Sequence, residues 1–238
     1  MRTIAQAGSF IYNVSDEGIW VNLYTGNVAD LNLSDGTPVR IAQDTDYPWE
    51  GQVALTVDCD SGTAFALMLR IPGWCPGATL TLNGTPIADH PQPGTYIRLE
   101  HIWNPGDRVV LEMEMPVQMP GSHPMVEETR NHLAVRRGPL VYCLESIDLL
   151  EGVRITDVGI SRSATFEPIR DASFDGLISD IRLLAGNLTA IEEPSWRGAL
   201  YRPAALRQTR AIPARLVPYF AWDNRGKSEM TVWLPEIQ

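Results

Sequence analysis

The chain has 238 residues, enough for one large all-β domain or two smaller ones, and 44% of them are hydrophobic, which argues against a disordered protein. Its 19 Gly and 18 Pro residues favour many short strands joined by turns over long helices. The formal net charge of −10 argues against nucleic acid or an anionic membrane as a partner and leaves a neutral sugar or another protein.

Residues 2–12 are predicted to form the last turns of a helix. Ile4, Ala7 and Ile11, joined by Phe10, recur at spacings of three and four residues and give an apolar stripe. A helix of about eleven residues is marginal alone in water, and no later segment resembles a helical partner. We therefore interpret residues 1–16 as the remnant of a helical domain whose remainder is absent.

From Gly18 onward the hydrophobic period changes to two, which is typical of strands with one buried face. In RVVLEMEM, for example, Val109, Leu111 and Met113 alternate with polar positions such as Glu112. The strand-like runs are separated by turn clusters and favour an antiparallel β-sandwich over residues 17–122. These runs are GIWVNLYTG (18–26), QVALTVD (52–58), AFALMLRI (64–71), ATLTLNG (78–84), TYIRLE (95–100) and RVVLEMEM (108–115).

A Pro-Gly-Trp corner and an Asn83-Gly84 turn punctuate the stretch FALMLRIPGWCPGATLTLNG (65–84). Asn-Gly is a strong signal for a β-hairpin, because both of its residues tolerate a positive φ angle. The sequence therefore predicts two strands on either side of the corner and a tight hairpin at Asn83-Gly84.

A boundary is predicted in MPVQMPGSHP, between Pro116 and Pro124, where three prolines interrupt the periodicity. The next unit, a second sandwich over 123–212, begins with HLAVRRGPLVYCLE, which a corner at 136–139 splits into two strands. Weaker strands are predicted near 153–157, 163–167, 180–184 and 188–192. Residues 213–238 are predicted to be strands that return to the first sandwich.

The residue types that usually carry chemistry do not form a convincing site in this sequence. Cys59, Cys75 and Cys143 are scattered, without CxxC spacing, and are expected to be buried reduced thiols of a cytosolic protein rather than a zinc site. The four histidines lack HxH or HxxxH spacing. The adjacent pairs at 127–128 and 192–193 are more simply solvated carboxylates than the acid and nucleophile of a glycosidase.

Trp49, Trp196 and Trp222 lie near turns and are the candidates for contact with a carbohydrate. Trp49 stands in a Tyr-Pro-Trp loop flanked by Asp46 and Glu50. Such a loop can stack on and hydrogen-bond to a sugar ring, but packing is the simpler interpretation. No signal peptide and no apolar run of the roughly 20 residues that span a bilayer is visible, so we expect a cytoplasmic protein without a membrane partner.

Four segments in order resemble glycoside hydrolase family 127, the β-L-arabinofuranosidase type. They are FIYNVSDEGIWVNLYTG (10–26), LRIPGWCPGATLTLNG with WNPGDRVVLEMEMPV (69–84 and 103–117), NHLAVRRGPLVYCLE (131–145) and VPYFAWDNRGKSEMTVWLPE (217–236). The resemblance implies β-sandwich domains that follow a large α/α-barrel. In the family, the nucleophile is a cysteine of a Cys-Cys-Pro-Pro-Asn segment, and the zinc ligands and the acid/base glutamate lie in the barrel.

No position of this sequence matches those motifs, so the resemblance transfers no catalytic residue, no zinc ligand and no cofactor. The first interpretation is a structural, non-catalytic β-sandwich portion whose partner is the missing catalytic barrel. The alternative is a free-standing module that binds carbohydrate or mediates assembly. A sandwich face once covered by the barrel would also expose an apolar patch and promote a homo-oligomer.

Overall fold

The structure is a computed structural model that describes residues 6–87, 91–171, 174, 176, 180–192, 200, 201, 203 and 208–237. The chain divides into two compact units, Met1–Met115 and Pro116–Gln238. Both are built from strands, and the helical segments with described bounds are 3₁₀ turns of three or four residues. Within the described part of the chain, no helix is both long and apolar enough to cross a membrane. The predicted all-β class is confirmed.

The first unit contains two sheets. Its strands are β1 (Tyr12–Ser15), β2 (Gly18–Val21), β3 (Asn27–Asn32), β4 (Pro38–Thr45), β5 (Gln52–Cys59), β6 (Thr63–Arg70), β7 (Ala78–Leu82), β8 (Thr85–Pro86), β9 (Tyr96–Trp103) and β10 (Asp107–Met113). One sheet has four strands in the order β1-β2-β6-β9, and the other has six in the order β3-β4-β5-β10-β7-β8. Neighbouring strands are antiparallel except β2 and β6, which are parallel.

The core of the first unit follows from the alternation in its strands. Val109, Leu111 and Met113 of β10 are buried, whereas Glu112 is exposed, as the sequence predicts. One apolar cluster contains these residues together with side chains of the four-stranded sheet, such as Leu67 of β6. Side chains of both sheets therefore share a single core.

The predicted hairpin at Asn83-Gly84 is confirmed. Asn83 has a φ angle of 50° and Gly84 one of 78°, and Leu82 pairs with Thr85 across the turn. β6 and β7, on the two sides of the Pro-Gly-Trp corner, belong to different sheets. The corner thus moves the chain from one sheet to the other.

The prediction of an N-terminal helix is wrong for the described residues. The described part of this stretch forms only a 3₁₀ turn, Ala7–Phe10, and then enters β1 at Tyr12. Gly8 and Ser9 are poor helix formers, and the backbone of Tyr12 pairs with Val21 instead. Residues 1–5, including Ile4, lie outside the described residues.

The second unit contains one extended sheet. Its strands are β11 (Val117–Gln118), β12 (His132–Leu133), β13 (Val135–Arg137), β14 (Leu140–Glu145), β15 (Val158–Ser161), β16 (Phe166–Arg170), β17 (Arg182–Glu192), β18 (Gln208–Pro218), β19 (Met230–Thr231) and β20 (Leu234–Ile237). The main order is β11-β13-β14-β18-β17-β15-β20-β12, with β16 paired to β17 and β19 to β14. Short 3₁₀ turns occupy Glu127–Thr129, Ser146–Asp148, Ile155–Asp157 and Tyr219–Ala221.

Three predictions for this unit need correction. The strands predicted near 180–184 and 188–192 are one strand, β17, paired with β18 from Leu184 to Glu192. The division between the units falls after Met115, earlier than the predicted 122, because β11 pairs with β13. The C-terminal strands β19 and β20 pair with β14, β12 and β15 of the second unit and do not return to the first.

Candidate functional site

Three aromatic side chains are exposed in the segment that follows β18. Tyr219, Phe220 and Trp222 are 48%, 54% and 36% exposed, whereas Ala221 between them is fully buried. We call Tyr219, Phe220 and Trp222 the aromatic surface. Its 3₁₀ turn follows Pro218 and is held inward by the buried alanine. Of the three tryptophans predicted to contact carbohydrate, Trp222 belongs to this surface.

A buried ionic cluster fixes the segment that follows the aromatic surface. The Arg225 guanidinium donates to the carboxylates of Glu145 and Asp148, and all three side chains are almost completely buried. The Asp223 backbone N–H and the Ser228 hydroxyl also donate to Glu145 Oε1, at 3.0 and 2.9 Å. The cluster therefore ties residues 223–228 to the end of β14.

Electrostatics inside this cluster favour the ionised forms. Burial raises the pKa of Glu145, but the hydrogen bonds from Arg225, Asp223 and Ser228 outweigh it and hold that pKa below its usual range. Burial lowers the pKa of Arg225, but its hydrogen bonds to Asp148 and Glu145 have the larger effect and hold that pKa above its usual range. The guanidinium also lies 4.9 Å from the ring centroid of Phe174, within cation–π distance.

The sequence did not reveal this cluster. The sequence predicts only strands for residues 213–238, and it places Glu145 only at the end of the strand-forming segment HLAVRRGPLVYCLE. Glu145 and Arg225 are 80 residues apart along the chain, so no local pattern links them. A buried carboxylate normally has a cationic partner, but the sequence does not say which arginine provides it.

Trp49, one of the candidates for contact with a carbohydrate, is only 9% accessible. It lies in the turn between β4 and β5, where its backbone N–H donates to the Asp46 carbonyl at 2.8 Å. In the same turn, the Tyr47 ring stacks on Trp74 at a centroid distance of 6.4 Å. These contacts favour the packing interpretation of the loop. Trp196 lies outside the described residues.

The first unit carries open clefts between charged and apolar side chains. One of them, ≈ 670 Å³, has Phe65 and Ile102 in its wall and Asp16, Glu17 and Glu100 around it. Arg98 Nε lies 2.8 Å from Glu100 Oε1, so part of that charge is already paired. A smaller cleft of ≈ 270 Å³ lies beside the N-terminal 3₁₀ turn.

The three cysteines are free thiols with buried side chains. Burial raises the pKa of Cys59 and Cys75, and it raises the pKa of Cys143 to about 12. A nucleophilic or metal-binding cysteine needs the thiolate, which a raised pKa disfavours at neutral pH. Among the described residues, no group of three or more His, Cys, Asp and Glu side chains is arranged to hold a metal ion.

Comparison with known proteins matches both units to named domains. The family model described as "Beta-L-arabinofuranosidase, GH127 middle domain" matches residues 18–115. The model described as "Glycoside hydrolase family 127 C-terminal domain" matches residues 117–235. A non-reducing end β-L-arabinofuranosidase from Bifidobacterium longum subsp. longum is 32% identical over 98% of this chain.

Solved structures give the same result. A chain described as a glycoside hydrolase superposes over 100% of this chain with a TM-score of 0.91 and 41% identity. A GH127 β-L-arabinofuranosidase from Geobacillus stearothermophilus T6 superposes over 99% with a TM-score of 0.88 and 38% identity. This chain spans 35% of the Bifidobacterium protein and 39% and 36% of those two structures, a little over a third of each.

Proposed function

Because this chain belongs to glycoside hydrolase family 127, we propose that it is the non-catalytic β-sandwich portion of a β-L-arabinofuranosidase-like glycoside hydrolase and supports that enzyme's catalytic domain. The observation that carries the proposal is the match of its two units to the middle and C-terminal domains of the family. A middle domain implies a domain before it in the longer relatives. We assign the catalytic groups, with the family's zinc, to that preceding domain.

The sandwich architecture is part of the proposal. In the first unit, one apolar cluster draws side chains from the four-stranded and the six-stranded sheet, as two sheets packed face to face would require. We propose a second sandwich for Pro116–Gln238, formed by its one extended sheet folding over on itself, because its cluster combines Val135 toward one end of the strand order with Leu133 and Leu234 toward the other. The 3₁₀ turn Ala7–Phe10, which lies before β1, then connects the preceding helical domain to the first sandwich.

The cysteines support a structural rather than a catalytic role. All three are buried, and their raised pKa values keep them protonated. Buried free thiols also fit the expected cytoplasmic location.

An activity assay tests this proposal. The purified 238-residue chain, incubated with p-nitrophenyl β-L-arabinofuranoside and zinc, should release no nitrophenol above the buffer rate. Zinc-dependent turnover that disappears in Cys59→Ser, Cys75→Ser or Cys143→Ser would contradict it. A sample with the expected thermal melt but no turnover is the informative result.

The aromatic surface favours a second candidate function, carbohydrate binding. Tyr219, Phe220 and Trp222 are exposed together, and the Arg225 cluster holds the following residues in place. Rigid aromatic rings can stack on sugar rings without losing much side-chain entropy. Of the other tryptophan candidates, Trp49 is too buried to stack on a sugar in this conformation.

Titration with L-arabinose and with a β-L-arabinofuranosyl disaccharide, followed by tryptophan fluorescence, tests this second candidate. Saturable quenching that is lost in Trp222→Ala, but kept in Tyr96→Ala on the first unit, would support it. If both variants keep the quenching, or if the unmodified chain shows none, carbohydrate binding at the aromatic surface is contradicted. The structural role then remains as the proposed function. Sedimentation of the same samples tests the proposed homo-oligomer.

A further inference from the structure

A preformed cleft lies at the N-terminal end of the first unit, and we call it the entry cleft. Its volume is ≈ 270 Å³. Ala7 and Ile11 form one side of it, next to the 3₁₀ turn. Leu23, Tyr24, Tyr47 and Arg70 are among the residues that line the rest. The cleft therefore lies between the first described residues and the rest of the first unit.

Hydrogen bonds make the walls of the entry cleft rigid. The Tyr24 hydroxyl donates to the Arg70 carbonyl at 2.6 Å, and the Tyr47 ring packs edge-on against Tyr24 with centroids 6.0 Å apart. The Asn22 backbone N–H donates to the Ile11 carbonyl at 2.8 Å, which fastens the N-terminal turn to the end of β2. A site held in this way loses little entropy when a partner binds.

Apolar side chains extend from the entry cleft toward solvent. Leu23, which lines the cleft, is 40% exposed, and Phe10, which precedes the lining residue Ile11 in the chain, is 56% exposed. Single exposed apolar residues are ordinary, but two of them at one apolar cleft mark a contact surface. Arg70 is exposed there as well. Its Nη1 donates to the Asn22 carbonyl at 3.2 Å, which orients the guanidinium, and the guanidinium has further N–H donors for a carboxylate.

The length of the relatives indicates what occupies this surface. The middle-domain model starts at residue 18, and the relatives are more than twice as long as this chain. In such a protein, the preceding domain enters the first unit at the 3₁₀ turn that forms one side of the cleft. A tethered domain is present at a high effective concentration, so a cleft beside the tether is filled readily.

We propose that the entry cleft is the docking site of the domain that precedes the middle domain in longer members of the family. That domain places an apolar side chain between Leu23 and Tyr47 and a carboxylate against Arg70. This inference rests on the proposed supporting role and names the surface through which the support acts.

The test measures docking between separate pieces. The probe is the part of the Bifidobacterium longum relative that lies before its match to this chain, with that relative's own matching part as the positive control. Isothermal titration with the 238-residue chain should give saturable binding. Leu23→Asp and Phe10→Ser should each weaken it by about tenfold or more. Ile102→Ser, an equally exposed apolar site on β9, should change it by less than about twofold.

Each outcome decides the inference. Equal binding by the unmodified chain, Leu23→Asp and Phe10→Ser overturns the entry cleft as the docking site and leaves the supporting role intact. No binding by the unmodified chain, when the positive control binds, overturns both. A dimer of the unmodified chain that Leu23→Asp abolishes would assign the cleft to a second copy and also overturn the inference. Phe10 is exposed, so its variant keeps the fold and the test stays valid.

Discussion

At the scale of single residues, Arg225 has the largest expected effect on stability. It neutralises two carboxylates, Glu145 and Asp148, whose side chains are 0% and 8% exposed. Removing one member of a buried ion pair leaves an uncompensated charge, which costs far more than the pair contributes. The exposed pair of Arg40 with Asp30 is the natural comparison, because both its side chains are more than half accessible.

We therefore expect Arg225→Met to lower the free energy of unfolding by about 3–5 kcal/mol. Arg40→Met, the matched control, should change it little, because solvent screens this exposed pair. Urea unfolding of both variants measures the difference. If both variants lost the same free energy of unfolding, water would have to solvate the Arg225 cluster in the folded protein.

Removing Arg225 should also reverse the direction in which stability depends on pH, because it changes the pKa of Glu145 in the folded state. In the unmodified chain the folded pKa of Glu145 is depressed, so its stabilisation is present above the unfolded pKa of about 4.3 and is lost as the pH falls through the folded value. Without Arg225, the Asp223 N–H and the Ser228 hydroxyl still lower that pKa, but burial, the largest single effect, and the neighbouring Asp148 carboxylate raise it. The native state then binds the extra proton, and stability should fall as the pH rises above about 4.3.

Unfolding midpoints in urea between pH 3 and pH 7 check this prediction. The unmodified chain should gain stability over the lower part of that range, whereas Arg225→Met should lose stability over the upper part. Parallel curves for the two proteins would exclude Glu145 as the group responsible.

At the scale of elements, the parallel contact of β2 with β6 depends on Gly18. This residue has a φ angle of +133°, and a Cβ atom built on it would lie 2.0 Å from the Ala66 carbonyl oxygen. Only glycine permits both the backbone conformation and the approach of the two strands. Gly36 also has a positive φ, of +89°, but open space surrounds its Cβ position.

We expect Gly18→Ala to destabilise the chain by about 3 kcal/mol or more, because β2 must move away from β6. Gly36→Ala should cost only the backbone strain, about 1–2 kcal/mol. Thermal unfolding of the two variants under the same conditions measures both. A smaller loss for Gly18→Ala than for Gly36→Ala would rule out this account of the contact.

The elements that the sequence predicts correctly are those with a local signal, and the N-terminal stretch, whose structure depends on pairing with a later strand, is not among them. β10 follows from its alternation and the hairpin from Asn83-Gly84, since both signals are local. The N-terminal stretch carries an apolar stripe of helical period, yet pairing between Tyr12 and Val21 ends the turn early. Tertiary pairing overrides weak local preference.

At the scale of the whole molecule, each compact unit has an apolar cluster of its own. The cluster of the first unit uses residues up to Met113, and that of the second begins at Leu133. A unit with its own core has what it needs to fold independently.

Separate production of residues 1–115 and 116–238 tests this independence. Each should unfold cooperatively in urea and keep a strand-dominated circular dichroism spectrum. A cut inside β5, giving residues 1–55, serves as the control and should yield an unfolded product, because it removes most of the first core. If neither unit folds alone, the two cores depend on each other.

The sequence by itself determined the all-β class, the alternation of the main strands, the Asn83-Gly84 hairpin and the resemblance to glycoside hydrolase family 127, which the domain matches confirm. Each of these features depends on residues close together in the sequence, or on the order of such segments along it, so the sequence alone is enough to predict it. Only the tertiary structure decided that Trp49 is buried, that β19 and β20 stay in the second unit, and that Arg225 meets Glu145. Burial and ion pairing depend on residues far apart in sequence, and a strand's pattern shows which face is apolar but not what covers it.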